Sequence, residues 1–66
     1  MVGRQGRVTG TIGPGLVGEV VVAVRGGSEA FLARAAVPGE RIPVGSVVVV
    51  QEYHPPRTVY VAQLLS

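Results

Sequence analysis

The chain is a series of short apolar segments separated by turns rich in glycine and proline. In the second segment, Val20, Val22 and Val24 occupy every other position, which is the period of a β-strand with one buried face. Short segments with this period, at regular spacing and with little or no helix between them, are typical of a small all-β barrel. We predict five strands, near residues 5–12, 18–25, 29–35, 46–53 and 58–64.

Turn chemistry indicates where these segments end. The Gly-Pro-Gly sequence at 13–15 favours a turn, and the Gly-Gly pair at 26–27 is a two-residue hairpin signal. Gly10 interrupts the first segment and predicts a bulge or a sharp bend, which would let this strand pair on both of its sides. Residues 37–45 are predicted to form a loop with no room for a helix.

One face of the five segments supplies enough apolar side chains to fill a barrel. The predicted core is Val8, Ile12, Val20, Val22, Val24, Phe31, Val48, Val50, Val59 and Val61. The opposite faces of the second, third and fourth strands, which we expect to be neighbours, carry Val21, Leu32, Val47 and Val49. An exposed apolar patch usually marks an interaction site, so these four residues are predicted to contact a protein partner. Two alternatives stay open: a loop covers the patch, or the register is shifted by one residue.

The composition supports a core built from strands and limits its size. Fifteen of the 66 residues are valine, whose branched side chain suits a pleated sheet better than a helix. A chain of this length forms one domain with a thin core, and we predict that the domain spans residues 1–66. The chain has no cysteine, which excludes a disulfide. No apolar run approaches the ~18 residues of a membrane-spanning helix, and no secretory signal pattern is present.

Residues that could support catalysis are few and scattered. His54 is the single histidine, no aspartate can orient it, and the serines fall at turns or at the terminus, so we expect no nucleophilic triad. Glu40, like the other glutamates beside turns, is predicted to be solvated. One histidine and four separated glutamates make a poor metal site, and no lysine is present to carry biotin or lipoate. The sequence therefore predicts no enzyme activity, no cofactor and no small-molecule substrate.

The order and spacing of many glycine, proline and apolar positions form a distinctive pattern. Its members are Gly3, Gly6, Thr11-Ile12-Gly13-Pro14-Gly15, Gly18, Val20, Val22, Gly26-Gly27, Phe31, Ala33, Ala35, Ile42-Pro43-Val44-Gly45, Val48 and Val50. From about Val2 to Leu64, this pattern resembles the soluble C-terminal domain of NfeD-like proteins. The resemblance implies a small five-stranded OB-fold-like barrel that usually follows membrane-spanning helices in a bacterial protein.

The resemblance also implies a function. NfeD-like proteins are associated with membrane scaffold proteins of the stomatin and flotillin type. The expected role is therefore a membrane-associated module, on the cytoplasmic side, that binds such a protein or a second copy of itself. The chain departs from the usual arrangement because it carries no membrane segment, which leaves either an excised domain or a free-standing relative. Nothing in it resembles the serine-protease domain of longer members, so protease activity is not implied.

Nucleic acid is the alternative partner, because OB barrels bind single strands through a basic groove and aromatic platforms. The candidate residues for that role are Arg7, Arg25, Arg34 and Tyr60. A nucleic-acid-binding domain usually carries a denser basic cluster than six arginines with a net charge of +2. We therefore place this alternative second.

Overall fold

Five strands make up the secondary structure of the computed structural model, which describes residues 1–65 without the Leu65 side chain. The strands are β1 (Gln5–Gly10), β2 (Gly18–Val24), β3 (Gly27–Ala35), β4 (Val47–His54) and β5 (Thr58–Leu65). The five predicted strands are confirmed, and their ends move by one or two residues. Within residues 1–65, no helix is long and apolar enough to span a membrane.

The strands close into a barrel in the order β1-β2-β3-β5-β4. β3 and β5 run parallel, and the other neighbouring pairs are antiparallel. Closure depends on β1, since Gly6 is opposite Val22 of β2 on one side and Val48 of β4 on the other. The register of β1 against β2 shifts between Val8 and Gly10, as the glycine predicted. The predicted class, a small all-β OB-fold-like barrel with little or no helix, is confirmed.

Gly18 lets β2 begin directly against the end of β1. A Cβ atom at this buried position would lie 2.3 Å from the carbonyl oxygen of Gly10 and 2.5 Å from Cγ1 of Ile12. Both distances are far below van der Waals contact, so the close approach of the two strands requires glycine here.

The barrel interior is filled by aliphatic side chains and one aromatic ring. The buried apolar residues are Val8, Ile12, Val20, Val22, Phe31, Ala33, Ile42, Val48, Val50, Val59 and Val61. The prediction was wrong for Val24, which is half-buried outside this cluster because it lies at the β2–β3 hairpin, where β2 ends. The predicted core also omitted Ile42, which was assigned to a loop, although its side chain is completely buried.

Ile42 closes one end of the barrel. Its N–H donates to the carbonyl of Ile12 at 2.8 Å, and the N–H of Ile12 donates to the carbonyl of Ile42 at 3.0 Å. Both side chains are 0% exposed, so the loop between β3 and β4 contributes to the core without forming a strand. A single apolar residue between Arg41 and Pro43 has no periodicity that sequence patterns could detect.

Arg57 lies where β3 and β5 separate. The ladder between these strands covers only Leu32–Ala35 of β3, which leaves a gap before Leu32. Its guanidinium donates to the carbonyl of Ala30 and lies 5.5 Å from the centroid of the Phe31 ring. A carboxylate oxygen of Glu29 lies 3.6 Å from its Nη1 atom. One side chain thus covers an open strand edge that would otherwise face solvent.

We predict that Arg57→Gln lowers the free energy of unfolding by about 1 kcal/mol, because it removes a cation–π contact and a hydrogen bond at a half-exposed site. Urea denaturation of the two proteins measures this difference. Arg25→Gln is the matched control, since Arg25 is exposed in the β2–β3 turn and makes no hydrogen bond or ion pair within residues 1–65. Equal losses in the two variants would contradict the role given to Arg57.

Candidate interaction face on β2, β1 and β4

Three of the four predicted contact residues, Val21, Val47 and Val49, lie on the outer side of the barrel, where β1 runs between β2 and β4. We call this surface, which also includes Gln5 and Arg7 of β1, the β1 face. Arg7 is opposite Val21 of β2 and opposite Val47 of β4, while Gln5 is opposite Val49. Each of the three valines is half-buried. A shallow groove of about 300 Å³ runs across the face and is lined by Gln5, Gly6, Arg7, Val21, Ala23 and Val47.

Leu32 is not part of the β1 face. It is 52% exposed and lies on β3, opposite Glu19 of β2 and Thr58 of β5. The expectation that the second, third and fourth strands are neighbours was wrong, because β1 separates β2 from β4 and β5 separates β3 from β4. The patch is therefore built around β1, a strand that sequence reasoning did not include, and the partner-binding role of the four residues stays a prediction.

Two arginines bring positive charge to the β1 face. Nη1 of Arg7 donates to the carbonyl of Gly45 at 2.9 Å, and Nη1 of Arg4 donates to the carbonyl of Ala23 at 3.2 Å. The carboxylate of Glu19 on the same side instead accepts a 2.7 Å hydrogen bond from Oγ1 of Thr9. The ion pairs within residues 1–65 involve His54 and Arg57, so neither Arg4 nor Arg7 is paired with a carboxylate.

The residues proposed for nucleic acid fall in separate places. Arg34 and Tyr60 are paired across β3 and β5, so the structure does bring these two together. Arg7 lies on β1, which pairs with neither of those strands, and Arg25 lies in the β2–β3 turn. The four residues thus do not line a single groove.

A second cleft, of about 260 Å³, lies beside Arg34 and Tyr60. Its other walls are the turn at 13–15 and the loop at 38–40. Glu40 was predicted to be solvated, but it is half-buried, and its Oε1 atom is buried with no hydrogen-bond partner within residues 1–65. The prediction failed because the loop packs back towards the turn, and no local pattern around Glu40 signals that packing.

The groups considered for catalysis are separated in the structure. His54 Nε2 lies 2.9 Å from Oε1 of Glu52, and its ring lies 4.9 Å from that of Tyr60. Ser46 is buried at the other end of β4, roughly 25 Å away at ~3.3 Å per residue, where its Oγ accepts a hydrogen bond from Gln63. Within residues 1–65, no group of three or more His, Cys, Asp or Glu side chains is arranged to hold a metal ion.

The closed strand order β1-β2-β3-β5-β4 defines the molecule as a small OB-type barrel domain. Its β1 face is apolar and carries arginines. The family model of the NfeD C-terminal domain matches residues 5–62, from the first residue of β1 to within β5. The chain therefore belongs to the NfeD C-terminal domain family, and the resemblance noted in the sequence is confirmed. No curated protein and no solved structure matches the chain.

Proposed function

We propose that this domain is a non-catalytic assembly module that binds a partner protein through the β1 face. The observation that carries the proposal is the alignment of Val21 and Val47 on either side of Arg7. Apolar side chains that remain accessible on a barrel whose interior is already filled serve no purpose in the core. Their burial against a partner would release water and favour association.

Family membership supports the choice of partner. NfeD-like proteins are typically encoded or associated with membrane scaffold proteins of the stomatin and flotillin type, and we propose a protein of this type as the partner. The parent of the domain would then be anchored in the membrane, with the barrel on the cytoplasmic side. Self-association through the same face is the second form that this function can take.

Single-stranded nucleic acid has less support as the partner. Arg34 and Tyr60 are adjacent, but Arg7 and Arg25 lie elsewhere, so the continuous basic groove of an OB-type nucleic-acid site is missing from this set. Salt-dependent binding of an oligonucleotide that required Arg34 and Tyr60 would reverse this ranking.

Val47→Glu is expected to weaken binding to a purified stomatin-like protein at least tenfold, because it places a charge in the centre of the proposed contact. Binding is measured by interferometry with the immobilised domain, and sedimentation velocity reports self-association of the same samples. Val37→Glu is the matched control, since Val37 is 59% exposed and lies in the loop after β3.

Thermal unfolding of both variants establishes that each remains folded at the temperature of the binding measurement. Unchanged binding and unchanged self-association in a folded Val47→Glu variant would contradict the proposed face. Equal loss in Val37→Glu would show that added negative charge, rather than its position, causes the effect.

A further inference from the structure

We infer that the β1 face binds an acidic–apolar segment of the partner, in which two carboxylates are separated by aliphatic side chains. This inference rests on the proposed function and specifies the chemistry of the bound segment. It is carried by two arginines at the apolar groove: Arg7, which lines it, and Arg4, whose guanidinium donates to the carbonyl of the lining residue Ala23.

The two guanidinium groups define the length of the segment. Arg4 reaches the carbonyl of Ala23, one residue beyond the Gly6–Val22 pair. Arg7 reaches the carbonyl of Gly45, whose own N–H donates to the carbonyl of Val8. At ~3.3 Å per residue along β1, these levels are about 10 Å apart, and the two carbonyls lie on opposite sides of β1, about 10 Å apart at ~4.8 Å per strand. The two anchoring carbonyls are therefore on the order of 14 Å apart. Two carboxylates with that separation can therefore meet both arginines at once.

Each guanidinium retains the capacity to bind a carboxylate. Arginine has five N–H donors, and each of these side chains uses Nη1 for a backbone carbonyl. The remaining donors suit a bidentate, charge-assisted contact. Within residues 1–65, Glu19 forms no ion pair with either arginine, and its carboxylate accepts the Thr9 hydroxyl. A partner that supplies acidic groups thus complements two positive charges that the described residues leave without an ion pair.

The groove beside the arginines selects aliphatic side chains. Val21 and Val47 line it on either side of Arg7, and Ala23 continues the lining along β2. Because Gly6 and Arg7 of β1 are paired with both β2 and β4, a partner cannot add a strand at this point and must bind through its side chains. None of the three aromatic residues lines the groove. Phe31 lies on β3, Tyr60 on β5, and Tyr53 near the far end of β4, where its ring packs against that of Phe31. Nucleic-acid bases would therefore find no stacking platform in this groove.

Two synthetic peptides of about ten residues test the inference. One carries two glutamates separated by three leucines, and the other carries glutamines in place of the glutamates. We expect the glutamate peptide to bind the domain at least tenfold more tightly than the glutamine peptide, with affinity that falls as salt is added. Nuclear magnetic resonance shifts of the backbone amides report both the affinity and the location of binding.

Arg7→Gln and Arg4→Gln are expected to abolish the preference for the glutamate peptide. Arg25→Gln removes the same charge from the β2–β3 turn and should retain the full preference. If the two peptides bind the β1 face equally and Val47→Glu removes both, the interaction function stands and the acidic chemistry is wrong. The inference is also overturned if the glutamate peptide does not bind, or if a thymidine oligonucleotide binds through Arg7 in its place.

Discussion

Gly18→Ala is expected to lower the free energy of unfolding by at least ~3 kcal/mol, because overpacking at this position cannot be relieved by a side-chain movement. The added carbon would meet the carbonyl oxygens of Gly10 at 2.3 Å and Thr11 at 2.7 Å. Both atoms belong to the backbone segment that leaves β1, so relief requires β1 and β2 to separate. For a 66-residue domain with a thin core, a loss of this size unfolds much of the population.

Gly27→Ala is the matched control, because a Cβ atom there has no neighbouring heavy atom within 4 Å and Gly27 is not among the residues with positive φ. Chemical denaturation monitored by circular dichroism measures both variants. We expect the midpoint of Gly27→Ala to stay close to that of the parent domain. A Gly18→Ala protein as stable as the Gly27→Ala protein would contradict the close approach of β1 and β2.

Ile42→Ala is expected to cost about 2–5 kcal/mol, the range observed when a large buried aliphatic side chain is truncated. Ile42 is 0% exposed and packs with Ile12 at the end of the barrel. Its removal leaves a cavity at the point where the β3–β4 loop is held to the turn after β1. The loop should then open more often, so the backbone amides of Ile12 and Ile42 should exchange their hydrogens with solvent faster. Hydrogen-exchange measurements at these two amides detect the change.

Val44→Ala provides the comparison for Ile42→Ala, because it shortens another branched side chain of the same loop that is 59% exposed. An exposed truncation of this kind changes stability by no more than ~0.5 kcal/mol. Similar losses in the two variants would mean that the loop lies outside the core, as the sequence had predicted.

Local patterns were sufficient to predict the strands and most of the core. Alternation places Val20 and Val22 inward because successive side chains of a strand point to opposite sides. Glycine and proline favour chain reversal, so the turns on both sides of β2 were predicted. The hairpin turn lies at Arg25-Gly26, one residue before the predicted Gly-Gly pair, because Gly27 already pairs with Val24 as the first residue of β3. Ile42 escaped prediction because its burial depends on a long-range pair with Ile12, and an isolated apolar residue in a loop carries no period.

The interaction face was only partly predictable for a related reason. Alternation identifies Val21, Val47 and Val49 as outward apolar residues, but strand order in a barrel depends on long-range pairing. The parallel ladder of β3 with β5 moves β4 next to β1, and this separates Leu32 from the other three residues. Arg7 was considered only for nucleic acid, because its place between Val21 and Val47 depends on which strands flank β1 and in what register, and long-range pairing sets both.

The most direct test of the β1 face is to map the backbone amide shifts of the isotope-labelled domain as a purified stomatin-like protein is added. We predict that the perturbed amides cluster at residues 5–7 of β1, 21–23 of β2 and 47–49 of β4. Perturbations confined to the cleft beside Arg34, Tyr60 and Glu40, with the β1 amides unchanged, would contradict the proposed docking surface.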